Sequence, residues 1–288
     1  MDSRSEDPQA RPPTPAASPM PLVERVTALR AGLADTRFAQ VDWVAETGST
    51  NRDLLEELRA GAAVSGGAGP AVLITDHQTA GRGTKGRSWF DPPGGSLLMS
   101  VRLFPDVAPG QLHLFTMALS LAAAEACFEV AGVDVGLKWP NDLFVADRKL
   151  AGVLAESSVR GGRVEALVIG IGMNVNWPTE VPAELADTAV ALNQVAGGEV
   201  DRVALALASV RGLEAELRLL EGPGGPERLL ERCRQRSATL GRRVRVELAD
   251  GPLVGTAVDI AADGQLVVDI NGERRPFAAA DITHLRLA

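Results

Sequence analysis

The pattern of apolar residues changes about fifty residues before the end of the chain. Up to residue 238, helical spacing alternates with short buried-type strands. Residues 239–288 instead hold short alternating runs, separated by turns such as Asp263-Gly264 and Asn271-Gly272. Asp-Gly and Asn-Gly between alternating runs are typical of β-hairpins. We therefore predict a mixed α/β domain over 21–238, followed by a small all-β barrel over 239–288.

Within the larger domain, apolar spacing predicts helices packed on a sheet. The predicted helices are 22–35, a short one after Asn51, 111–131, 201–220 and 226–238, and the predicted strands are 41–44, 71–75, 96–103, 135–139, 142–146, 150–158 and 164–172. Residues 147–149 are expected to form a turn between two strands. Thr50 and Asp53 fit a capping box at the start of a helix.

The first twenty residues differ in composition from the rest. They are rich in proline, serine and charge and have no apolar core, so residues 1–20 are predicted to be a disordered tail and not a signal peptide. Met20 is a second candidate start. No apolar run is expected to reach the roughly 18 residues of a membrane span, so no membrane partner is predicted.

Charge and cysteine usage narrow the classes of function further. The formal net charge of -8 argues against non-specific binding to nucleic acid, which usually needs a basic face. Cys127 and Cys233 lie far apart and in no metal-binding spacing. Two free thiols in a reducing compartment are the simplest interpretation, which predicts a cytoplasmic protein.

Residues 81–87 (GRGTKGR) alternate glycines with basic side chains. Glycines allow a ligand to approach the backbone, and arginine and lysine bind phosphate or carboxylate oxygens. A solvated basic loop is the alternative. A phosphate-binding P-loop is disfavoured, because the lysine of that motif is missing and residues 89–95 (WFDPPGG) cannot begin a helix.

Three later clusters favour a ligand site over a solvated loop. They are residues 138–142 (KWPND), 148–152 (RKLAG) and 170–176 (GIGMNVN). A carboxylate such as Asp142 can hold magnesium, and Lys138 can neutralise charge on a transferring phosphate. Trp139 and Pro140 fit a core position and a turn, and asparagines at strand ends are often simple turn formers.

Taken together, five runs resemble the biotin–protein ligase family. These runs are 48–51 (GSTN), 78–83 (QTAGRG), 138–142 (KWPND), 147–152 (DRKLAG) and 170–174 (GIGMN), in the family's order over about residues 46–176. The C-terminal barrel is similar to the family's small SH3-like domain. The resemblance implies an α/β (α+β) fold, in which a class II synthetase-like catalytic domain has a central mixed sheet flanked by helices.

The resemblance also implies roles for individual residues. The biotin-binding set is Ser49, Thr50, Asn51, Gln78, Arg82, Gly83, Thr84 and Lys149. The set for ATP and the adenylate is Arg87, Trp89, Lys138, Asn141, Asp142 and Asn174. Of these, Lys138, Arg82 and Lys149 would be catalytic, and Asp142 would hold Mg²⁺. Thr84 is a departure, because many relatives carry arginine there; Lys85 is the neighbouring cation.

The activity implied is ATP-dependent adenylation of biotin, then transfer of biotin to a lysine in the biotin carboxyl carrier domain of an acyl-CoA or pyruvate carboxylase. ATP with Mg²⁺ and biotin are the expected ligands, with no tightly bound prosthetic group and no nucleophilic cysteine or serine. A monomer or weak homodimer is expected.

Three other functions are alternatives to that of a stand-alone biotin–protein ligase. Some relatives carry a winged helix and repress transcription, but the segment ahead of Glu46 is too short for one and half of it resembles a disordered tail, so no DNA partner is predicted. A lipoate or octanoate transferase resembles this domain in fold. A non-catalytic module that binds biotin or nucleotide is the third alternative.

Overall fold

The computed structural model of the protein describes residues 20–59, 69–83, 89–248, 251–279 and 284–287. Residues 1–19 of the tail expected over 1–20 lie outside the described residues. So do Thr84, Lys85 and Arg87.

A seven-stranded mixed sheet forms the centre of the larger domain. Its strands are β1 (Gln40–Thr47), β2 (Ala71–Gln78), β3 (Ser96–Leu103), β4 (Gly136–Lys138), β5 (Asp142–Val145), β6 (Arg148–Arg160) and β7 (Arg163–Asn174). Across the sheet the order is β1-β2-β3-β7-β6-β5-β4. The β1–β2 pair is parallel, and the other neighbours are antiparallel. This order brings the ends of β2, β3, β6 and β7 together, although they are distant in sequence.

Helices pack on the sheet as predicted. They are α1 (Leu22–Gly32), α2 (Thr50–Arg59), α3 (Leu112–Ala131), α4 (Ala183–Ala186), α5 (Leu192–Ala196), α6 (Arg202–Glu221) and α7 (Gly225–Gln235), with a 3-10 turn at Pro109–Gln111. Gly212 of α6 permits close packing against α3, since a Cβ there would lie 3.1 Å from Ala122 Cβ. The short helices α4 and α5 were not predicted.

The segment Pro109–Ala131 corrects one expectation. By length and composition it is apolar enough to cross a membrane, whereas no such run was expected. Packing explains its composition, because 67% of its apolar window is buried inside the protein. A helix that lies between a sheet and α6 is apolar on most of its surface for the same reason that a membrane helix is.

The C-terminal part folds as a small antiparallel sheet. Its strands are β8 (Arg243–Leu248), β9 (Gly251–Ile260), β10 (Leu266–Ile270), β11 (Glu273–Phe277) and β12 (His284–Leu287), in the order β11-β10-β9-β8-β12. Its buried Val246, Ala257 and Val268 belong to the same hydrophobic cluster as the core of the larger domain. The predicted fold class is therefore confirmed.

Two local predictions were wrong. The turn between β5 and β6 is formed by Ala146 and Asp147, both with positive φ, and Arg148 and Lys149 already belong to β6. The capping box also fails, because Thr50 is the first residue of α2 and its hydroxyl points elsewhere. Instead, the side-chain oxygen Oε1 of Gln78 accepts from the Thr50 backbone N–H at 2.9 Å. A side chain from β2 therefore satisfies one of the free N–H groups at the start of the helix.

Candidate functional site

Three glycines form the floor of a pocket over the centre of the sheet. Gly170 and Gly172 are on the same face of β7, and Gly152 of β6 pairs with Gly172. A Cβ at Gly170 would overlap Asn51 Oδ1, and one at Gly172 would lie 2.8 Å from Trp89 Cε2. The glycines are therefore required by the close approach of two side chains that line the pocket.

Asn51, from the start of α2, spans three strands above Gly170. Its Oδ1 accepts from Ser100 Oγ of β3 at 2.7 Å. Its Nδ2 donates to Leu154 O at 3.2 Å and to Glu156 Oε2 at 2.9 Å, both on β6. The side chain is buried, so these contacts fix it in one orientation.

A second buried contact set joins Thr50, Gln78 and Ser100. Thr50 Oγ1 lies 3.1 Å from Gln78 Oε1 and 2.6 Å from Ser100 Oγ. Because Ser100 also donates to Asn51, two hydroxyl protons have to serve three contacts. This end of the pocket therefore has more acceptors than donors, which suits a ligand that brings N–H groups.

Two cations also line the pocket, and each is paired with a carboxylate. Arg82 Nη2 lies 3.0 and 3.2 Å from the two carboxylate oxygens of Glu156. Lys149 Nζ lies 2.6 Å from Asp142 Oδ1 and 5.5 Å from the ring centroid of Trp89. The whole chain contains three lysines, Lys85, Lys138 and Lys149, so lysine is confined to the segments that the sequence singled out.

Trp89 closes the pocket above Gly172. Its indole Nε1 is buried and has no hydrogen-bond partner among the described residues. Asp91 holds the segment that follows, because its Oδ2 accepts from Gln78 N at 3.0 Å and lies 3.1 Å from His77 Nδ1. Burial is the main cause that raises the pKa of the Asp91 carboxyl.

The KWPND segment lies beside this pocket, against the C-terminal sheet. Trp139 N donates to Thr239 Oγ1 and Trp139 Nε1 donates to Gly264 O, each at 3.0 Å. Trp139 is buried in the core, which agrees with the core position predicted for it. Asn141 Nδ2 donates to Val153 O at 2.5 Å. The segment is thereby held from both sides.

Most of the predicted site residues meet in one place. The pocket is lined by Ser49, Thr50, Asn51, Gln78, Arg82, Gly83, Trp89, Asn141 and Lys149. Lys138 and Asp142 line a smaller neighbouring cavity that shares Asn141, and Lys138 Nζ lies 4.8 Å from the centroid of the Phe144 ring. Asn174 is buried behind the pocket, where Nδ2 donates to Val190 O at 3.0 Å and to Lys149 O at 3.4 Å.

Among the polar side chains in or beside the pocket, Ser100 and Glu156 were missed by the sequence reasoning. Ser100 is one polar residue in an apolar strand, and Glu156 follows the RKLAG run on β6. A buried-type strand that contains a serine, and a carboxylate downstream of a basic run, are the available signals. Both are weak until the strand register is known.

Metal and thiol chemistry are limited by the side chains present. Among the described residues, no group of three or more His, Cys, Asp or Glu side chains could hold a metal ion. Burial raises the pKa of Cys127 and Cys233 to about 12, so neither thiol ionises appreciably at neutral pH.

Comparisons with known proteins identify the family to which the chain is similar. Residues 46–174 match the model of the Biotin/lipoate A/B protein ligase family, and residues 239–285 match the Biotin protein ligase C terminal domain. The chain is 38% identical over 273 residues to the biotin–[acetyl-CoA-carboxylase] ligase of Mycobacterium tuberculosis, covering 92% of this chain and 97% of that protein. It is 32% identical to the bifunctional ligase/repressor BirA of Escherichia coli, covering 82% and 71% respectively.

A solved structure extends the comparison to the fold. The biotin protein ligase from Aquifex aeolicus in complex with biotin and ATP aligns with a TM-score of 0.73 and 28% identity, over 87% of this chain and all of that one. The match spans both the mixed sheet and the C-terminal region of the relatives. The chain therefore belongs to the biotin protein ligase family of ATP-dependent ligases.

Proposed function

We propose that this protein adenylates biotin with ATP to biotinyl-5′-AMP and then transfers biotin to a lysine of a biotin carboxyl carrier domain. One observation carries the proposal: a single pocket combines a buried, neutral, acceptor-rich part with two lining cations, Arg82 and Lys149. Biotin has a neutral ureido ring at one end and a carboxylate at the other. The ring therefore matches the neutral part of the pocket, and the carboxylate matches a cation.

At the neutral end, the ureido N–H groups would donate to acceptors that the protein leaves short of protons. Gln78 Oε1 and the hydroxyls of Ser49 and Thr50 are the candidate partners. Ser49 and Thr50 are buried, so these hydrogen bonds would form away from water, where an unmade bond is costly. Asn51 would lie beside them and keep Ser100 oriented.

Positive charge around the pocket would hold the two anionic reactants together. A biotin carboxylate oxygen attacks the α-phosphorus of ATP, the bond from that phosphorus to the bridging oxygen breaks, and pyrophosphate leaves. Lys149 and Arg82 would pair with the biotin carboxylate and the α-phosphate, and Lys138 would neutralise charge on the departing phosphates. Trp89 would pack against adenine, and Gly83 would let the backbone approach the ligand. Thr84 and Arg87 remain predicted contacts.

In the second step, a neutral lysine amine of the acceptor attacks the acyl carbon of biotinyl-5′-AMP. The bond from that carbon to the phosphate oxygen breaks, AMP leaves, and the amine loses a proton as the amide forms. No covalent bond between biotin and this protein is needed. The high pKa values of both cysteine thiols are consistent with that scheme.

Magnesium fits this site as the metal of ATP rather than as a resident ion. Asp142 offers one carboxylate, and its Oδ1 already pairs with Lys149. Mg²⁺ commonly binds through one or two carboxylates together with substrate phosphates. We therefore assign Asp142 as its protein ligand, with Asn141 beside it; when bound, the ion would stabilise charge on the phosphates. Asn174 would act indirectly by holding the Lys149 backbone.

The acceptor we propose is the carrier domain of an acyl-CoA carboxylase or of pyruvate carboxylase, and the compartment is the cytoplasm. A monomer or weak homodimer, the absence of DNA binding and the boundaries at residues 20 and 238 remain predictions.

Pyrophosphate release from ATP and Mg²⁺ tests the proposal, with biotin, lipoate or octanoate as the single added acid. We expect release with biotin alone. Release with lipoate or octanoate instead would reject the assignment of Ser49, Thr50 and Gln78 to a ureido ring. Release with none of the three acids would reject the adenylation step itself. Transfer is then tested with a purified carrier domain and its lysine-to-arginine variant as the control.

A further inference from the structure

The carboxylate of Glu156 contacts two side chains that line the pocket. Glu156 Oε2 accepts from Asn51 Nδ2 at 2.9 Å, and Arg82 Nη2 donates to both carboxylate oxygens. We infer that Glu156 is a positioning residue for the proposed reaction, which sets the orientation of Arg82 and of the buried Asn51 amide together. The inference rests on the proposed function.

The strand register explains why this residue reaches both partners. On β6, Leu154 pairs with Gly170 and Glu156 pairs with Val168. Residues two apart on a strand share a face, so Glu156 lies on the pocket face of β6, one position beyond the glycine floor. Asn51 stands over Gly170 and can therefore direct its amide along β6 towards Leu154 O and Glu156.

Glu156 determines which way the Asn51 amide points. In the observed orientation Nδ2 faces two acceptors, Leu154 O and Glu156 Oε2, and Oδ1 faces the Ser100 hydroxyl. The flipped amide would place Oδ1 against both of these acceptors, which is unfavourable. Ser100 must then use its only proton on Asn51, so towards Thr50 its oxygen can act only as an acceptor.

Glu156 also orients the guanidinium of Arg82, the second pocket-lining side chain that it contacts. Arg82 lies between Gly81 and Gly83, and its side chain is 49% exposed. An ion pair this exposed contributes little to stability. A cation that has to meet an anion in a fixed geometry nevertheless loses much of its effect when its orientation is free. The ion pair between Glu156 and Arg82 therefore orients the Arg82 side chain more than it stabilises the fold.

The chain offers a matched control on the neighbouring strand. Glu165 of β7 also pairs with an arginine, Arg160, at 2.9 Å, and both side chains are exposed at the far end of the hairpin. Neither glutamate is itself a lining residue, but Glu156 contacts the lining residues Asn51 and Arg82, whereas Glu165 contacts Arg160 and Ser158. Replacing Glu165 removes a glutamate–arginine pair from the same hairpin without touching Arg82 or Asn51.

The test compares Glu156→Gln and Glu156→Ala with Glu165→Gln and Glu165→Ala, in biotin-dependent pyrophosphate release by the full chain. We expect kcat/KM for biotin to fall roughly tenfold in Glu156→Gln and roughly a hundredfold in Glu156→Ala, because charge-assisted hydrogen bonds are lost. The Glu165 variants should stay within about twofold of wild type. Thermal melting curves of all four variants should overlap. If Glu156→Ala fails to fold, the comparison of Glu156→Gln with Glu165→Gln tests the inference alone.

A double-mutant cycle separates positioning from a structural role. If Glu156 acts partly through Arg82, the loss caused by Glu156→Ala should shrink to roughly tenfold when Arg82 is already alanine. An equal loss in both backgrounds, or Glu156 variants that match the Glu165 variants, would overturn the inference. A wild-type protein without biotin-dependent release would instead reject the proposed function, so the two failures are distinguishable.

Discussion

The indole ring of Trp89 lies directly on Gly172, where a Cβ would stand 2.8 Å from Cε2 and 3.1 Å from Cζ2. Gly172 is in the middle of the sheet, paired with Leu98 on one side and Gly152 on the other. Its backbone is ordinary strand, so the requirement for glycine is one of space. The contact sets the height of the aromatic ring above the pocket floor.

Gly172→Ala should therefore displace Trp89 without unfolding the sheet. Since a shift of about 1 Å at a reacting site can cost up to a hundredfold, we expect KM for ATP to rise by roughly tenfold or more. Steady-state pyrophosphate release measures KM, and intrinsic fluorescence reports the altered tryptophan environment. Gly198→Ala is the control, because nothing lies within 4 Å of a Cβ there. An unchanged KM in Gly172→Ala would argue against adenine packing on Trp89.

Replacing either of two cations should slow adenylation strongly while the fold persists. Arg82→Ala and Lys138→Ala each remove a positive charge that the proposed reaction needs to hold anions together, and we expect a loss of at least about a hundredfold in kcat/KM. Far-ultraviolet circular dichroism should be unchanged. Arg160→Ala, whose side chain is 84% exposed, should behave as wild type. Normal release in both Arg82→Ala and Lys138→Ala would refute these assignments.

The sequence predicted regular elements well where their signal is local. The apolar run over 96–103 predicted the strand Ser96–Leu103 with the observed bounds. The site was harder, because its contacts depend on register. Ser100 meets Asn51 across 49 positions and Glu156 meets Asn51 across 105. Thr50 was assigned to a cap for the same reason: its true partners, Gln78 and Ser100, come from strands that only the sheet brings near.

The Asp91 carboxyl gives a prediction for pH. Burial raises its pKa above the ordinary value of 3.8, so the folded protein holds this proton more tightly than the unfolded chain does. The group therefore stabilises the fold most at low pH, and its contribution declines as pH rises through the folded pKa. Compared with Asp91→Asn, which does not titrate, the wild-type free energy of unfolding should fall from about pH 4 upward.

Urea unfolding of both proteins at several pH values measures that difference. The groups that face Asp91, the His77 ring and the Gln78 backbone N–H, are retained in the variant, so their contributions largely cancel. Histidine can also gain charge as pH falls, and His77→Gln with and without Asp91→Asn separates the two effects. A difference that stays constant, or grows with pH, would show that burial does not raise this pKa.

The last prediction concerns Thr239, which links the C-terminal sheet to the KWPND segment. Thr239 is buried, and its hydroxyl accepts from Trp139 N at 3.0 Å, next to Lys138. Thr239→Val leaves that buried N–H without a partner, which should cost about 1–3 kcal/mol of stability. Because the same peptide positions Lys138, we also expect KM for ATP to rise severalfold.

Thr256→Val on the exposed face of β9 is the matched control for this change. A point substitution is preferable to deleting residues 241–288, because Val246, Val268 and Phe277 share one hydrophobic cluster with the larger domain, and the deletion would expose that core. If the C-terminal sheet only supports the fold, Thr239→Val will lower the melting temperature and leave KM for ATP unchanged. If it positions the nucleotide side of the site, both will change together, and an excess of ATP will restore the rate.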